Sequence, residues 1–119
     1  MSVPLYQAKA EFFKTLGHPA RIRILELLSD RDHAVHELLD LIAIESSNLS
    51  QQLAVLRRAS LVTSYRRGAE VLYSVSVPEV RDLLLAARTI LTRVIAVQGE
   101  LESELNAELN GQLSARATR

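Results

Sequence analysis

The chain contains no cysteine and no tryptophan, and its aromatic residues are only Tyr6, Phe12, Phe13, Tyr65 and Tyr73. Without cysteine there is no disulfide framework, no thiolate metal site and no thiol redox switch. With so few rings the core has to be aliphatic, drawn from Leu, Val, Ile and Ala. No long apolar run occurs either. The longest, Leu83 to Ala87, falls far short of the roughly 20 residues that cross a bilayer. No charged stretch followed by an apolar one opens the chain, so no secretory signal and no membrane association are expected, and the predicted location is cytoplasmic. Enzyme chemistry also lacks its parts: no nucleophile–base pair and no glycine-rich phosphate loop stand out, and the chain is not expected to be an enzyme.

What is present is an ordinary globular composition, 48% hydrophobic and 24% charged over 119 residues. That excludes wholesale disorder and a collagen-like chain. The length fits one domain with an extension. A chain this short buries only about two-thirds of its unfolded surface, so self-association would help it.

The 14 basic and 14 acidic residues cancel, but their layout is uneven. Residues 46–69 carry Arg57, Arg58, Arg66 and Arg67 and no acid. A basic island inside a neutral protein suits a polyanion. Against it stands the plainer reading of four solvated arginines.

Spacing predicts the elements. Leu5, Ala8, Phe12 and Leu16 mark one apolar helix face from Pro4 to about Leu16, ended by Gly17. His18-Pro19 opens a second helix to about Ser29, with His18 read as a cap or packing residue. A third, short helix spans about Val35 to Ile42. Ser46 to Ala59 reads as a fourth, with Leu49, Leu53 and Leu56 inward. Leu61–Tyr65 and Val71–Val77 then alternate like strands around Arg66-Arg67-Gly68-Ala69-Glu70, a hairpin with a basic tip. Pro78 opens a long last helix, Glu79 to about Leu109, which Asn110-Gly111 is expected to stop. The expected domain is 1–110, with 111–119 a disordered tail. The order α1-α2-α3-α4-β-β-α5 describes a mainly α, dimeric winged helix-turn-helix.

In that fold the helix over 46–59 enters the major groove. Its start is dense in short hydrogen-bonding side chains: Ser46, Ser47, Asn48, Ser50, Gln51 and Gln52. Asn and Gln can bond a base edge, and hydroxyls can bond phosphate. Helix capping needs one such residue, not six. Arg57, Arg66 and Arg67 complete the predicted contacts with double-stranded operator DNA. Val80, Leu84, Ala87, Leu91, Val94, Gln98, Leu101 and Leu105 step by four and three along the last helix, a coiled-coil-like seam. Leu5, Phe12, Leu84, Leu91, Val94 and Leu101 are therefore the predicted interface of a homodimer. The alternative function is a winged-helix protein–protein module that docks through the long helix without DNA. Salt-dependent DNA binding separates the two.

The run Phe13-Lys14-Thr15-Leu16-Gly17-His18-Pro19-Ala20-Arg21-Ile22-Arg23-Ile24-Leu25-Glu26-Leu27-Leu28 resembles the second-helix signature of the ArsR/SmtB family of bacterial winged-helix regulators. Ser46 to Val62 resembles that family's recognition helix and the start of its wing, and Leu72-Tyr73-Ser74-Val75 fits the wing strand. The resemblance covers roughly residues 8–85. It implies a homodimeric transcriptional regulator released by an effector, often a metal ion. Two positions depart from the family pattern: Ser60 stands where Gly is usual, and Gln52 where His is frequent. The family's best-known metal sites use cysteines, or Asp, His and Glu ligands along the last helix. This chain has no cysteine and no histidine in its last helix. What remains for a weak nickel, zinc or cobalt site is His33, His36 and Asp40, with Asp32 and Glu37 nearby. An effector-sensing partner protein is the other possible signal.

Overall fold

The computed structural model describes residues 2–117. Eight elements follow in order: α1 (Leu5–Leu16), α2 (Pro19–Asp30), β1 (His33–Ala34), α3 (Val35–Leu41), α4 (Ser46–Arg58), β2 (Val62–Arg67), β3 (Glu70–Val75) and α5 (Glu79–Ala117). They divide into two units, one up to Leu84 and one from Leu85. Among the described residues no helix is long and apolar enough to cross a membrane.

The start of α2 illustrates how local sequence sets an element boundary. His18 takes an extended conformation and its Nδ1 accepts from the Ala20 N–H at 3.1 Å. Pro19 fills the next position, where no N–H is needed. The side of α2 bearing Ile24, Leu25 and Leu28 then meets Leu38, Leu49, Leu53, Leu56 and Val80 in one aliphatic core. Ile24, Leu25, Leu38, Leu49, Leu53 and Leu56 are the largest fully buried side chains. No aromatic ring is among them, as composition demanded.

The expected hairpin is part of a three-stranded antiparallel sheet, ordered β1-β3-β2. β1 was not apparent in the sequence. Only two residues long, it pairs His33 with Tyr73 and Ala34 with Leu72, and a pair that short leaves no period to read. β2 and β3 run in register from Val62↔Val75 to Arg67↔Glu70, leaving Gly68-Ala69 as a two-residue turn. Gly68 has φ +63° and Ala69 does not share it, the pattern of a II′ turn, which requires glycine at its first central position.

The expected end of the last helix is corrected. α5 passes through Asn110-Gly111 and reaches Ala117, so 111–117 are helical; 118–119 lie outside the described residues. A glycine inside a helix costs only about 1 kcal/mol relative to alanine, and no proline follows to enforce a stop.

Candidate nucleic-acid interface

α3, the turn over 42–45 and α4 form the helix-turn-helix. α4 begins on Glu45, which makes no side-chain capping bond. Ser46 and Ser47 therefore lie inside the first turn, exposed. They are not cap residues, so capping does not account for them. The N–H groups of a first turn have no partner within the helix and favour anionic oxygen. Ser50 and Gln51 are likewise exposed, and Asn48 is half-buried.

Gln52 is different, and its expected role at DNA is corrected. It is 8% exposed and its amide is engaged at both ends within the protein. Its Oε1 accepts from Arg21 Nε at 2.8 Å, and its Nε2 donates to Asn48 Oδ1 at 2.9 Å. Arg21 also donates through a terminal nitrogen to the Thr15 carbonyl at 2.9 Å. A hydrogen-bonded chain thus runs from the end of α1 through α2 to the first turns of α4. Sequence reasoning missed it. The available signal was an arginine at position 21, in step with core residues Leu25 and Leu28 four and seven places on.

The far end of α4 is closed by a Schellman arrangement. The Leu61 N–H reaches the Leu56 carbonyl at 3.0 Å and the Ser60 N–H reaches the Arg57 carbonyl at 2.9 Å. Ser60 occupies the left-handed position, φ +62°, that glycine fills most easily. Arg57 and Arg58 are exposed in the last turn, where the helix dipole favours cations. Arg57 stands roughly 16 Å along the axis from Ser46.

In the wing, Arg66 and Arg67 are exposed beside the turn. Besides the β1–β3 pairing, two side-chain contacts tie the wing to the body. Tyr65 donates its hydroxyl to Asp32 Oδ2 at 2.5 Å, and His36 Nε2 lies 2.7 Å from Glu70 Oε1. The hydrogen bond to Glu70 raises the His36 pKa above the usual imidazole value, and the one to Asp32 raises that of Tyr65. Glu37 accepts from the Ala34 N–H at 3.0 Å and from Arg31 at 2.8 Å. First the Ala34 bond and then the Arg31 bond hold its carboxyl down at about 2.

The expected metal set is not assembled. Among the described residues no three of His, Asp and Glu come together to hold a metal ion. β1 removes His33 from the helix that would have placed it on one face with His36 and Asp40. His33 is buried, and its Nδ1, without a hydrogen-bond partner, lies 3.9 Å from Glu37 Oε2. His36 is committed to Glu70. Of the residues expected at a dimer interface, Phe12 and Leu84 pack partly against their own core, whereas Leu5, Leu91, Val94 and Leu101 are exposed.

A helix-turn-helix with a polar, outward-facing second helix and a basic hairpin beside it defines a winged helix-turn-helix DNA-binding protein. A sequence model of the bacterial regulatory protein, arsR family, matches residues 18–64. An uncharacterised HTH-type transcriptional regulator of Mycobacterium tuberculosis, Rv0081, is 58% identical over 96 residues, 80% of this chain and 84% of that protein. Its crystal structure superposes with a TM-score of 0.74, covering 82% of this chain and 98% of that one at 57% identity. The transcriptional repressor BigR of Xylella fastidiosa has a TM-score of 0.67 at 33% identity, over 71% of this chain and 87% of its own. The chain belongs to the ArsR family of bacterial regulatory proteins and is a transcriptional regulator of the ArsR/SmtB type.

Proposed function

We propose that this regulator binds double-stranded operator DNA as a homodimer, in the cytoplasm where bacterial DNA lies. The start of α4 reads the major groove and the Arg66–Arg67 wing tip holds the backbone or minor groove. The observation that carries this reading is the first turn and a half of α4: Ser46, Ser47, Ser50 and Gln51 are exposed and none caps the helix. Side chains of this kind, held on a rigid helix and free of structural work, suit base edges and phosphates. Arg66 and Arg67 flank a turn with no acid before Glu70, which suits phosphate or a narrow minor groove. Dimerisation is supported by the exposed apolar side chains of α1 and α5, Leu5, Leu91, Val94 and Leu101 among them.

A salt titration tests the DNA contact. Binding to a duplex pool should weaken as salt rises, because neutralised phosphates release counterions. Replacing Arg66 and Arg67 together by Ala should lower the slope of log K against log salt by about 2, close to one per phosphate contact. An unchanged slope in that variant would remove the wing from the interface. Binding that ignores salt would remove DNA.

A further inference from the structure

We propose that His36 serves DNA binding as a positioning residue: it holds the Glu70 carboxylate toward α3 and so leaves Arg67 free for a DNA phosphate. The proposal rests on the reading that the wing tip lies against DNA, and it adds a residue outside the wing that sets what the wing can offer.

The wing tip carries its own competitor for the phosphate. Arg67 and Glu70 are register partners on either side of the Gly68-Ala69 turn. Directly opposed residues of an antiparallel pair point to one face of the sheet, with Cβ atoms about 5 Å apart. An arginine and a glutamate so placed are within easy reach of one another. A guanidinium takes a carboxylate with the same fork that takes a phosphate. An ion pair across the turn would therefore send Arg67 to DNA already engaged.

The structure shows a different pairing. Among the described residues, no nitrogen of Arg67 lies within 4.0 Å of a Glu70 oxygen. Glu70 Oε1 instead meets His36 Nε2 of α3 at 2.7 Å. A carboxylate only accepts, so Nε2 is the donor, in the neutral ring as in the protonated one. Oε2 stays open after this bond, so Arg67 is not excluded by saturation. It is excluded by place, since the bond to α3 holds both oxygens away from the guanidinium, and by the imidazole N–H, which already supplies what the carboxylate would seek from Arg67. Asp32 is likewise engaged by the Tyr65 hydroxyl, and Glu37 by Arg31 and the Ala34 N–H. The side chains of His36 and Glu70 are 65% and 53% exposed. Exposed ion pairs are worth little, so neither pairing of Glu70 wins by much, and one donor is enough to decide between them.

The test titrates nested variants of the full-length protein with a mixed-sequence duplex at several salt concentrations, and urea midpoints check that each variant folds. Alanine is used at position 36 because glutamine there would still offer Glu70 an N–H. H36A should weaken binding about threefold to fivefold. It should also lower the slope of log K against log salt by part of the roughly one unit that a whole phosphate contact carries. In an E70Q background there is no carboxylate to hold, and H36A should have little effect. In an R67A background there is no guanidinium to release, and H36A should again have little effect. A merely structural role for His36 would give the same loss in all three backgrounds. An undiminished loss in E70Q, which would also follow if His36 touched DNA itself, an undiminished loss in R67A, or no loss on H36A alone would each overturn the proposal while leaving DNA binding intact. If R67A by itself changed neither affinity nor slope, the placement of the wing against DNA would fall instead.

Discussion

The same residue type meets opposite fates in the core of the first unit and along the helix of the second. Up to Leu84, Leu25, Leu38, Leu49 and Leu56 are 0% exposed; beyond it, Leu91, Leu101, Leu105 and Leu109 are 58, 55, 59 and 56% exposed. The first group draws cover from four other elements. The second belongs to one helix, and a single helix cannot bury its own apolar stripe. Folding of the body is therefore an intramolecular matter, whereas the apolar stripe of α5 calls for a second surface. Stability that depends on protein concentration separates these two kinds of leucine.

The largest effect should come from opening the body. Leu56→Ala should cost about 2–5 kcal/mol, through lost burial and the cavity left behind, and by the same amount at every protein concentration. Leu101→Ala should have a much smaller effect in dilute solution. Its cost should grow with concentration as dimer forms, since association stabilises by mass action. Urea unfolding at several concentrations, with light scattering for mass, reads both. A Leu101→Ala loss as large and as concentration-independent as that of Leu56→Ala would mean that α5 is covered by its own chain.

The same contrast sets what could be read from sequence. Leu49, Leu53 and Leu56 recur at helical spacing, and Val62–Arg67 with Glu70–Val75 surround a glycine turn, so the helices and the hairpin of the body were readable. Those signals come from repetition. The features that escaped are single and long-range. β1 is two residues with no period. Gln52 looks like its exposed neighbours Ser50 and Gln51, and only Arg21, 31 positions earlier, takes it out of solvent. His33 and His36 share a helical face only if both are helical, and β1 breaks that premise. The end of α5 was misplaced because Asn-Gly is a stop signal of modest strength that good helix formers on either side override.

A change at Ser60 sharpens the comparison from the stabilising side. At φ +62° a serine bears the crowding of its Cβ against the backbone, which glycine avoids; part of that gain is returned through the looser unfolded chain. Ser60→Gly should stabilise the body by about 0.5–1 kcal/mol and raise its thermal midpoint by a few degrees. The gain should be independent of concentration, because the helix end it relaxes is closed by Leu56, Arg57 and Leu61 of the same chain. A loss of stability would show that the serine hydroxyl contributes more than the left-handed backbone costs.

The smallest effect should come from the contact between His36 and Glu70, and pH exposes it. Glu70 on β3 faces the imidazole at 2.7 Å, and Glu37 and Asp40 on its own helix add negative potential. All three favour the protonated ring, with the Glu70 hydrogen bond foremost, so the folded-state pKa lies above the ordinary 6.5. A group whose pKa is raised by folding stabilises the fold fully below its unfolded value and loses that contribution as pH rises through the folded value. The body of the wild type should therefore lose a small increment of stability on going from slightly acidic to slightly alkaline pH, and His36→Gln should flatten that part of the profile. Glu37 works in the opposite window. With its carboxyl held at about 2, its contribution is present above the ordinary carboxylate value and declines only as pH falls toward 2. Glu37→Gln should thus flatten the acid limb and only slightly shrink the neutral limb, because it removes a minor part of the negative potential at His36. Urea midpoints across pH, measured at two protein concentrations, check both. Both variants act within the body, so neither change should depend on concentration. A neutral limb that persists in His36→Gln would assign it to a group other than His36, and one that appears only at high concentration would assign it to association of two chains and not to the contact with the wing.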